Sequence, residues 1–246
     1  MTFKNLTVTF LLLSAVISLN GCAGSSYVTP AGGASLSELN DESISELLDA
    51  KPASPFPARI AVVRIQAPGY VSNTNIGYGT GRYSVITTRD VESDADFDKL
   101  SSLPMITDVA RMNRLFLSPR LDSLRTLRDA AARLKADIIL LYSIDTLFHV
   151  ESTPLGPLST ISLGMLPNKK AKVTSTTSGA LIDVRTGYVY GVTEATMTEE
   201  KRTNIWNKKD AIDSARLKAG TASFRAFIDE CDDMWNEVVR QYAKNS

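Results

Sequence analysis

The side chains that could do chemistry in this chain are few. It has one histidine, His149, and two cysteines, Cys22 and Cys231. A histidine base, a cysteine nucleophile or a His/Cys metal site would have to draw on these three and on carboxylates placed beside them. His149 shares one face of the apolar run 138–150 with Asp145. Four residues at about 3.3 Å each set their Cα atoms roughly 13 Å apart, too far to pair along a strand, so His149 reads as a strand-end surface residue. Cys231 falls between Phe227, Ile228 and Trp235 in an apolar stripe of helical spacing. There a thiol packs as a small hydrophobe, with its pKa raised. Asp183, four residues before Gly187, reads as an acceptor for the backbone amides of a turn. Glu230, Asp232 and Asp233 read as the solvated face around Cys231, because no loop spaces oxygen ligands as a calcium site does. The glycines of 77–81 lack the spacing of a phosphate loop and read as a plain Gly-rich loop. No catalytic residue, metal site or cofactor is expected.

The elements that must position these residues follow from hydrophobic periodicity. Residues 59–66 form a short apolar run suited to a strand covered on both faces, and 83–88 is another strand pattern. Residues 92–102 suggest a short helix, while 105–117 is ambiguous between helix and strand. Ser118 and Pro119 offer an N-cap and first helical residue for an amphipathic helix over 119–135. A central strand follows over 138–150. Residues 173–185 and 188–200, rich in Val, Thr and Tyr, form a hairpin whose three-residue turn 185–187 places Gly187 in the left-handed region. Phe224, Phe227, Ile228, Cys231, Trp235, Val238 and Tyr242 mark a long helix over 210–243. The fold class expected is α/β (α+β), a single domain over 58–246 with a mixed sheet flanked by helices, a β-hairpin near 173–200 and a long C-terminal helix.

Before that domain, residues 22–57 are rich in Gly, Ser, Thr and Pro and read as a flexible tether. Ser43 and Glu46, three apart, form a capping box for one short helix within it. With 27 Lys+Arg against 27 Asp+Glu, the chain has no basic excess to neutralise phosphates, which argues against nucleic-acid binding. The segment 151–172 stands out: Leu155, Leu158, Ile161, Leu163 and Met165 sit among Pro154, Gly156, Pro157, Gly164 and Pro167. An apolar insertion between strands has to pack on the domain, on a partner or on a membrane surface. Weak alternation from Leu158 to Met165 also fits one arm of a membrane-crossing hairpin, although the return arm is too polar. Leu155, Leu158, Ile161, Leu163 and Met165 are the candidate partner contacts.

At the start of the chain, Lys4 precedes an apolar run of about 14 residues, shorter than the roughly 20 of a membrane-spanning helix, which ends in Leu19-Asn20-Gly21-Cys22. This is a secretory signal layout over 1–21. It resembles the lipobox of bacterial lipoproteins, which implies cleavage before Cys22 and acylation of its thiol. Ala23 in place of Asp after that cysteine implies the outer membrane, lipid-anchored, on the periplasmic face. The order of elements, with Ala136-Asp137-Ile138-Ile139-Leu140 opening a strand and Asp183-Val184-Arg185-Thr186-Gly187 at a turn, resembles the periplasmic domain of the curli-secretion lipoproteins. The penicillin-binding-protein activator lipoproteins and the TolB N-terminal domain have a similar fold. The resemblance implies a non-enzymatic protein-binding or scaffold lipoprotein, held to the membrane through its N-terminal lipid, with an envelope protein partner or self-association. It implies no small-molecule substrate. The alternatives are an oligomeric accessory of an outer-membrane secretion or assembly system and a cell-envelope hydrolase.

Overall fold

Residues 58–66 are apolar on both faces, as a strand enclosed by helices must be. The structure, a computed structural model, describes residues 32–39, 42–152, 169–203 and 208–243. It places that run as β1 (Ala58–Gln66) within a mixed sheet of order β3-β1-β6-β7-β8. The other strands are β3 (Ser84–Ile86), β6 (Ile138–Ser152), β7 (Lys169–Asp183) and β8 (Val189–Thr203). β1 runs parallel to β6 and antiparallel to β3, and β4 (Ile106–Arg111) pairs with it in parallel. β6, β7 and β8 form an antiparallel meander. A separate two-strand pairing joins β2 (Thr80–Gly81) to β5 (Arg120–Leu121). The helices are α1 (Leu36–Leu39), α2 (Ile44–Asp49), α3 (Asp94–Ser101), α4 (Leu124–Arg133) and α5 (Lys208–Tyr242). A single mixed α/β domain with flanking helices, a hairpin and a long C-terminal helix is therefore what the chain forms.

The sheet divides its apolar residues between two cores by alternation. Ile60, Val62, Ile138, Leu140 and Leu181 face α5, where they meet Phe224, Phe227 and Trp235. Ala61, Val63, Ile65, Ile139, Leu141 and Ile182 face Leu124, Leu127 and Ala131 of α4, together with Tyr83 and Leu39. Each fully buried aliphatic or aromatic side chain contributes about 1.5–3 kcal/mol of transfer free energy. At 1.5 Å per residue α5 is about 52 Å long, a match for strands of 15 residues at about 3.3 Å each. It runs against β7 and β8. Its closest approach needs Gly179, where a Cβ would lie 2.5 Å from the Phe227 ring. Cys231 is buried in the same core, and burial pushes its thiol well above the ordinary range.

Three elements differ from the sequence expectation. The helix expected to start at Pro119 starts at Leu124. The Pro119 and Leu121 carbonyls accept the Thr80 and Arg82 amides at 2.8 and 2.9 Å, so 119–121 is claimed by β5 before a helical turn can form. The hairpin turn has four residues, 184–187, closed by Asp183 N–H to the Tyr188 carbonyl at 2.8 Å and Gly187 N–H to the Asp183 carbonyl at 2.9 Å. Gly187 has φ +77° as expected. Within the stretch read as a tether, the Ser43/Glu46 capping box caps α2, yet Leu39 is only 1% exposed in the α4-side core. That part of the stretch lies on the domain. The ambiguous 105–117 resolves into β4 and one 3-10 turn, Arg114–Phe116.

Two buried polar clusters tie these layers together. In the first, Arg64 of β1 bonds Asp90 at 2.9 Å and Glu92 at 3.2 Å, and Arg216 of α5 reaches Asp90 at 3.3 Å. None of the four side chains is more than 5% exposed. Tyr142 donates to Glu92 at 2.9 Å, and Thr74 donates to Asp90 at 2.6 Å. Burial alone would raise the Asp90 pKa, but the Arg64 charge, the Thr74 hydroxyl and Arg216 hold it below the usual carboxylate range. In the second, Asp183, 0% exposed, accepts from the Ala53, Arg185 and Thr186 amides and from the Ser54 and Tyr190 hydroxyls at 2.8–3.1 Å. Burial opposes its ionised form, and these five donors outweigh it, so its pKa lies below the ordinary value.

Two stability predictions follow from these clusters. Arg64→Met leaves Glu92 buried without its cation and Asp90 with Arg216 alone, and is expected to cost about 3–5 kcal/mol, read as a lower midpoint in urea unfolding. Asp183→Asn is expected to cost about 3 kcal/mol at neutral pH. Because the folded-state pKa of Asp183 is depressed, its contribution is complete above the ordinary Asp value of about 3.9 and is lost as the pH falls below it. The gap in stability between wild type and Asp183→Asn, measured by denaturation from pH 7 down to pH 3, should narrow with acid. A gap that stays constant would assign the loss to shape rather than to charge.

Candidate functional site

β6, β7 and β8 outrun the rest of the sheet. β6 and β7 stay paired as far as the rung Ser152–Lys169, and β7 pairs with β8 as far as Lys169–Thr203. α5 covers one side of this extension, where Val173 packs with Ala215 and Ala219. The opposite side carries rows of cross-strand neighbours fixed by the register, about 6.6–6.8 Å apart along the strands. The first row is Leu141, Ala180 and Val192; the second is Ser143, Ser178 and Glu194; the third is Asp145, Thr176 and Thr196; the fourth is Leu147, Thr174 and Thr198. His149, Lys172 and Glu200 make the next. The threonines are bonded across the strands, Thr174 to Thr198 at 2.9 Å and Thr176 to Thr196 at 2.8 Å. Val192 is 69% exposed and Leu147 is 72% exposed. The face grades from apolar to acidic to hydroxyl-lined.

A strap of chain, residues 32–35, lies on this face just before α1. The Gly33 amide donates to the Asp145 carboxylate, and the Gly32 carbonyl accepts the Ala67 amide at 3.0 Å. Glycine suits this approach, since a Cβ on Gly33 would lie 2.3 Å from the Ser143 hydroxyl and 2.8 Å from an Asp145 oxygen, so that the strap or these side chains would have to shift. Between the strap and β8 lies a cleft of about 490 Å³. Leu36, Ile65, Leu141, Ala180 and Val192 supply apolar walls, while Ser143, Asp145, Ser178 and Glu194 supply polar ones. The Ser178 hydroxyl donates to Glu194 at 2.7 Å. That volume falls within the range of small-ligand and peptide-side-chain sites.

A second cavity, of about 530 Å³, lies beside β1 and β4 and is lined by Arg59, Arg64, Arg89, Arg111, Glu92 and Asp108, among others. Its guanidiniums are neutralised within the protein. Arg59 pairs with Asp108 at 2.8 Å, Arg111 with Asp94 at 3.0 Å, Arg89 with the same Asp94, and Arg64 with the buried carboxylates above. It offers an incoming anion little uncompensated charge.

The residues singled out by type do not converge. His149 and Asp145 are exposed on one face of β6, two rows apart, while Cys231 is buried on the other side of the sheet among the α5 contacts. Asp183 sits at the opposite end of β7 with its oxygens occupied by the turn and by residues 53–54. Asp232 accepts from Asn236 at 2.8 Å, on the exposed side of α5. Among the described residues no group of three or more His, Cys, Asp or Glu is placed to hold a metal ion, and no helix is long and apolar enough to cross a membrane. Cys22 and the contact candidates Leu155, Leu158, Ile161, Leu163 and Met165 lie outside the described residues. The strap was not legible as a wall, because Gly32 and Gly33 carry no periodicity. The alternation of Thr174 and Thr176, and of Glu194, Thr196 and Thr198, was the available signal for a bare polar face.

No family model matches the sequence, and no curated protein does. Solved structures to which the chain is similar include a Xanthomonas campestris protein of family DUF330. It is 12% identical over 78% of this chain and 94% of that one, with a TM-score of 0.36. A candidate neuraminyllactose-binding hemagglutinin homolog from Helicobacter pylori is 11% identical over 80% and 96%, with a TM-score of 0.37. A candidate lipoprotein from Caulobacter crescentus is 14% identical over 42% and 68%, with a TM-score of 0.26. At these scores the fold description rests on the chain's own topology.

The strap makes a direct test of the cleft geometry. Gly33→Val is expected to drive residues 32–35 off β6 and to cost about 1–3 kcal/mol, as overpacking does. Hydrogen exchange should speed up across 32–39 while the rungs of β6–β8 stay protected. Unchanged exchange in 32–39 would mean that the strap tolerates a side chain there.

Proposed function

We infer that this chain is a bacterial envelope lipoprotein, anchored through Cys22 at the outer membrane and facing the periplasm, whose domain is a non-enzymatic protein-binding or scaffold module. One observation carries the reading. A three-stranded antiparallel extension, 15 residues per strand, is backed by a helix on one side and, among the described residues, uncovered on the other, where Val192, Leu147 and the threonine pairs are presented. An antiparallel sheet can leave one face to water, and an open, hydroxyl-rich face with exposed apolar side chains at the end of a rigid support suits recognition of another macromolecule. In the sequence, Leu155, Leu158, Ile161, Leu163 and Met165 fall between β6 and β7, whose pairing reaches the Ser152–Lys169 rung. The Leu19–Cys22 pattern supports the anchor, because two or three acyl chains at about 0.8 kcal/mol per buried methylene hold a protein at a membrane durably.

A second reading, an oligomeric accessory of an outer-membrane assembly system, is favoured by one feature. β8 is the last strand of the sheet order, and an edge strand is a template for pairing with another copy.

Photoreactive residues at 147, 158, 161, 163 and 198 in the lipidated protein in cells test both readings. Adducts to one envelope protein are expected. Adducts to the protein itself alone would transfer the assignment to the oligomeric reading, and a folded, membrane-bound protein that gives no adduct at any position would overturn the binding-module reading.

A further inference from the structure

The cleft under the strap has a charge pattern that selects its ligand. Its polar walls hold two carboxylates, Asp145 and Glu194, and among the described residues no Lys, Arg or His lines it. In the second cavity, by contrast, each guanidinium named above is paired with a carboxylate, Arg89 and Arg111 sharing Asp94. Among the described residues, the Gly33 amide donates to Asp145 and the Ser178 hydroxyl to Glu194. A carboxylate accepts up to about four hydrogen bonds, so each retains capacity toward the cleft. An anionic ligand would meet uncompensated negative charge, whereas a cation with an apolar neighbour finds a complement for both.

The spacing defines the rest. Val192 and Glu194 are two residues apart in β8 and point to one face, about 6.8 Å apart. An extended chain lying along β8 repeats that interval with alternate side chains. The strap shows that this face accepts backbone, with the Gly33 amide on Asp145 and a glycine at the point of approach. Resting on the reading of this face as a contact surface, we propose that the cleft binds an extended, basic–apolar segment of a protein partner. An apolar side chain sits on Ala180 and Val192, and a lysine or arginine two residues away pairs with Glu194, with Asp145 receiving a further cation or backbone amide. Exposed ion pairs contribute little by themselves, so the apolar seat and the carboxylate act together, and the alternation supplies the specificity.

The test uses full-length lipidated protein in zwitterionic nanodiscs, with empty nanodiscs as the blank. The probe is a labelled, end-capped heptapeptide in which serine alternates with leucine, lysine and leucine, followed by fluorescence anisotropy. A companion peptide carries glutamate for lysine. Binding of the lysine peptide and rejection of the glutamate peptide are expected. Glu194→Gln should weaken binding about fivefold, and Val192→Lys, which places a cation on the apolar seat, should weaken it by more than about tenfold. Both positions are exposed, so unchanged thermal unfolding of the variants confirms that the fold is retained. Equal binding of the two peptides, no binding of the lysine peptide, or indifference to both substitutions would overturn the proposal. If crosslinks from positions 147, 158, 161, 163 and 198 survive that result, the cleft assignment falls alone and the wider binding-module reading stands.

Discussion

The layers of this domain are held in register by a buried charge network rather than by apolar packing alone. Arg64 comes from the central strand β1, Asp90 and Glu92 from the loop before α3, and Arg216 from α5. Burying four ions is costly, and the cost is recovered only while each has its partners at hydrogen-bonding distance. Apolar contacts tolerate sliding, because hydrophobic attraction is nearly non-directional. The network does not, since moving α5 along the sheet by one helical turn would strand Arg216 from Asp90. It therefore fixes where the helix sits, and with it which part of β7 and β8 is covered.

That placement decides the asymmetry of the sheet. α5 is long enough to back the three extended strands over their whole length, and Gly179 lets Phe227 approach β7 where any other residue would hold it off. On the opposite face, α4 is 10 residues long and covers only the portion shared with β1. The strap and α1 extend the cover by a few residues, and beyond them no described residue covers the face. The cleft is the seam between covered and uncovered sheet, which is why its walls pass from Leu141 and Ala180 to Ser143, Asp145 and Glu194 within two rungs. The Asp183 cluster has the corresponding role at the other end, locking the 184–187 turn and residues 53–54 to the base of β7.

The residues with the strongest intrinsic chemistry are spent on structure or stand apart. The Cys231 thiol is buried among apolar side chains and held far from its reactive form. The Tyr142 hydroxyl is bound to Glu92 inside the network and is pushed well above its ordinary range, by burial first and by the neighbouring carboxylate second. Asp183 is saturated with donors. Among the described residues, the uncovered face of β6–β8 presents hydroxyls, two carboxylates and isolated apolar side chains.

The sequence by itself determined the secondary structure wherever local periodicity was strong and unopposed. β1 and the central strand, the Gly187 turn and α5 are all legible from the spacing of Ile, Val, Phe and Trp, because a strand or helix can bury its apolar side chains on one support only at period 2 or 3.6. It also determined the structural character of Asp183 and Cys231, each of which is surrounded by its own local signals. Tertiary structure decided the rest. The start of α4 moved from Pro119 to Leu124 because residues 80–82, far away in sequence, bond the Pro119 and Leu121 carbonyls. Leu39 became core because the strap folds back over β6. The cleft arose from Gly33, Asp145, Ser178 and Glu194, which have no common spacing along the chain. Their proximity depends on strand register and on a close backbone approach, and a linear pattern records neither.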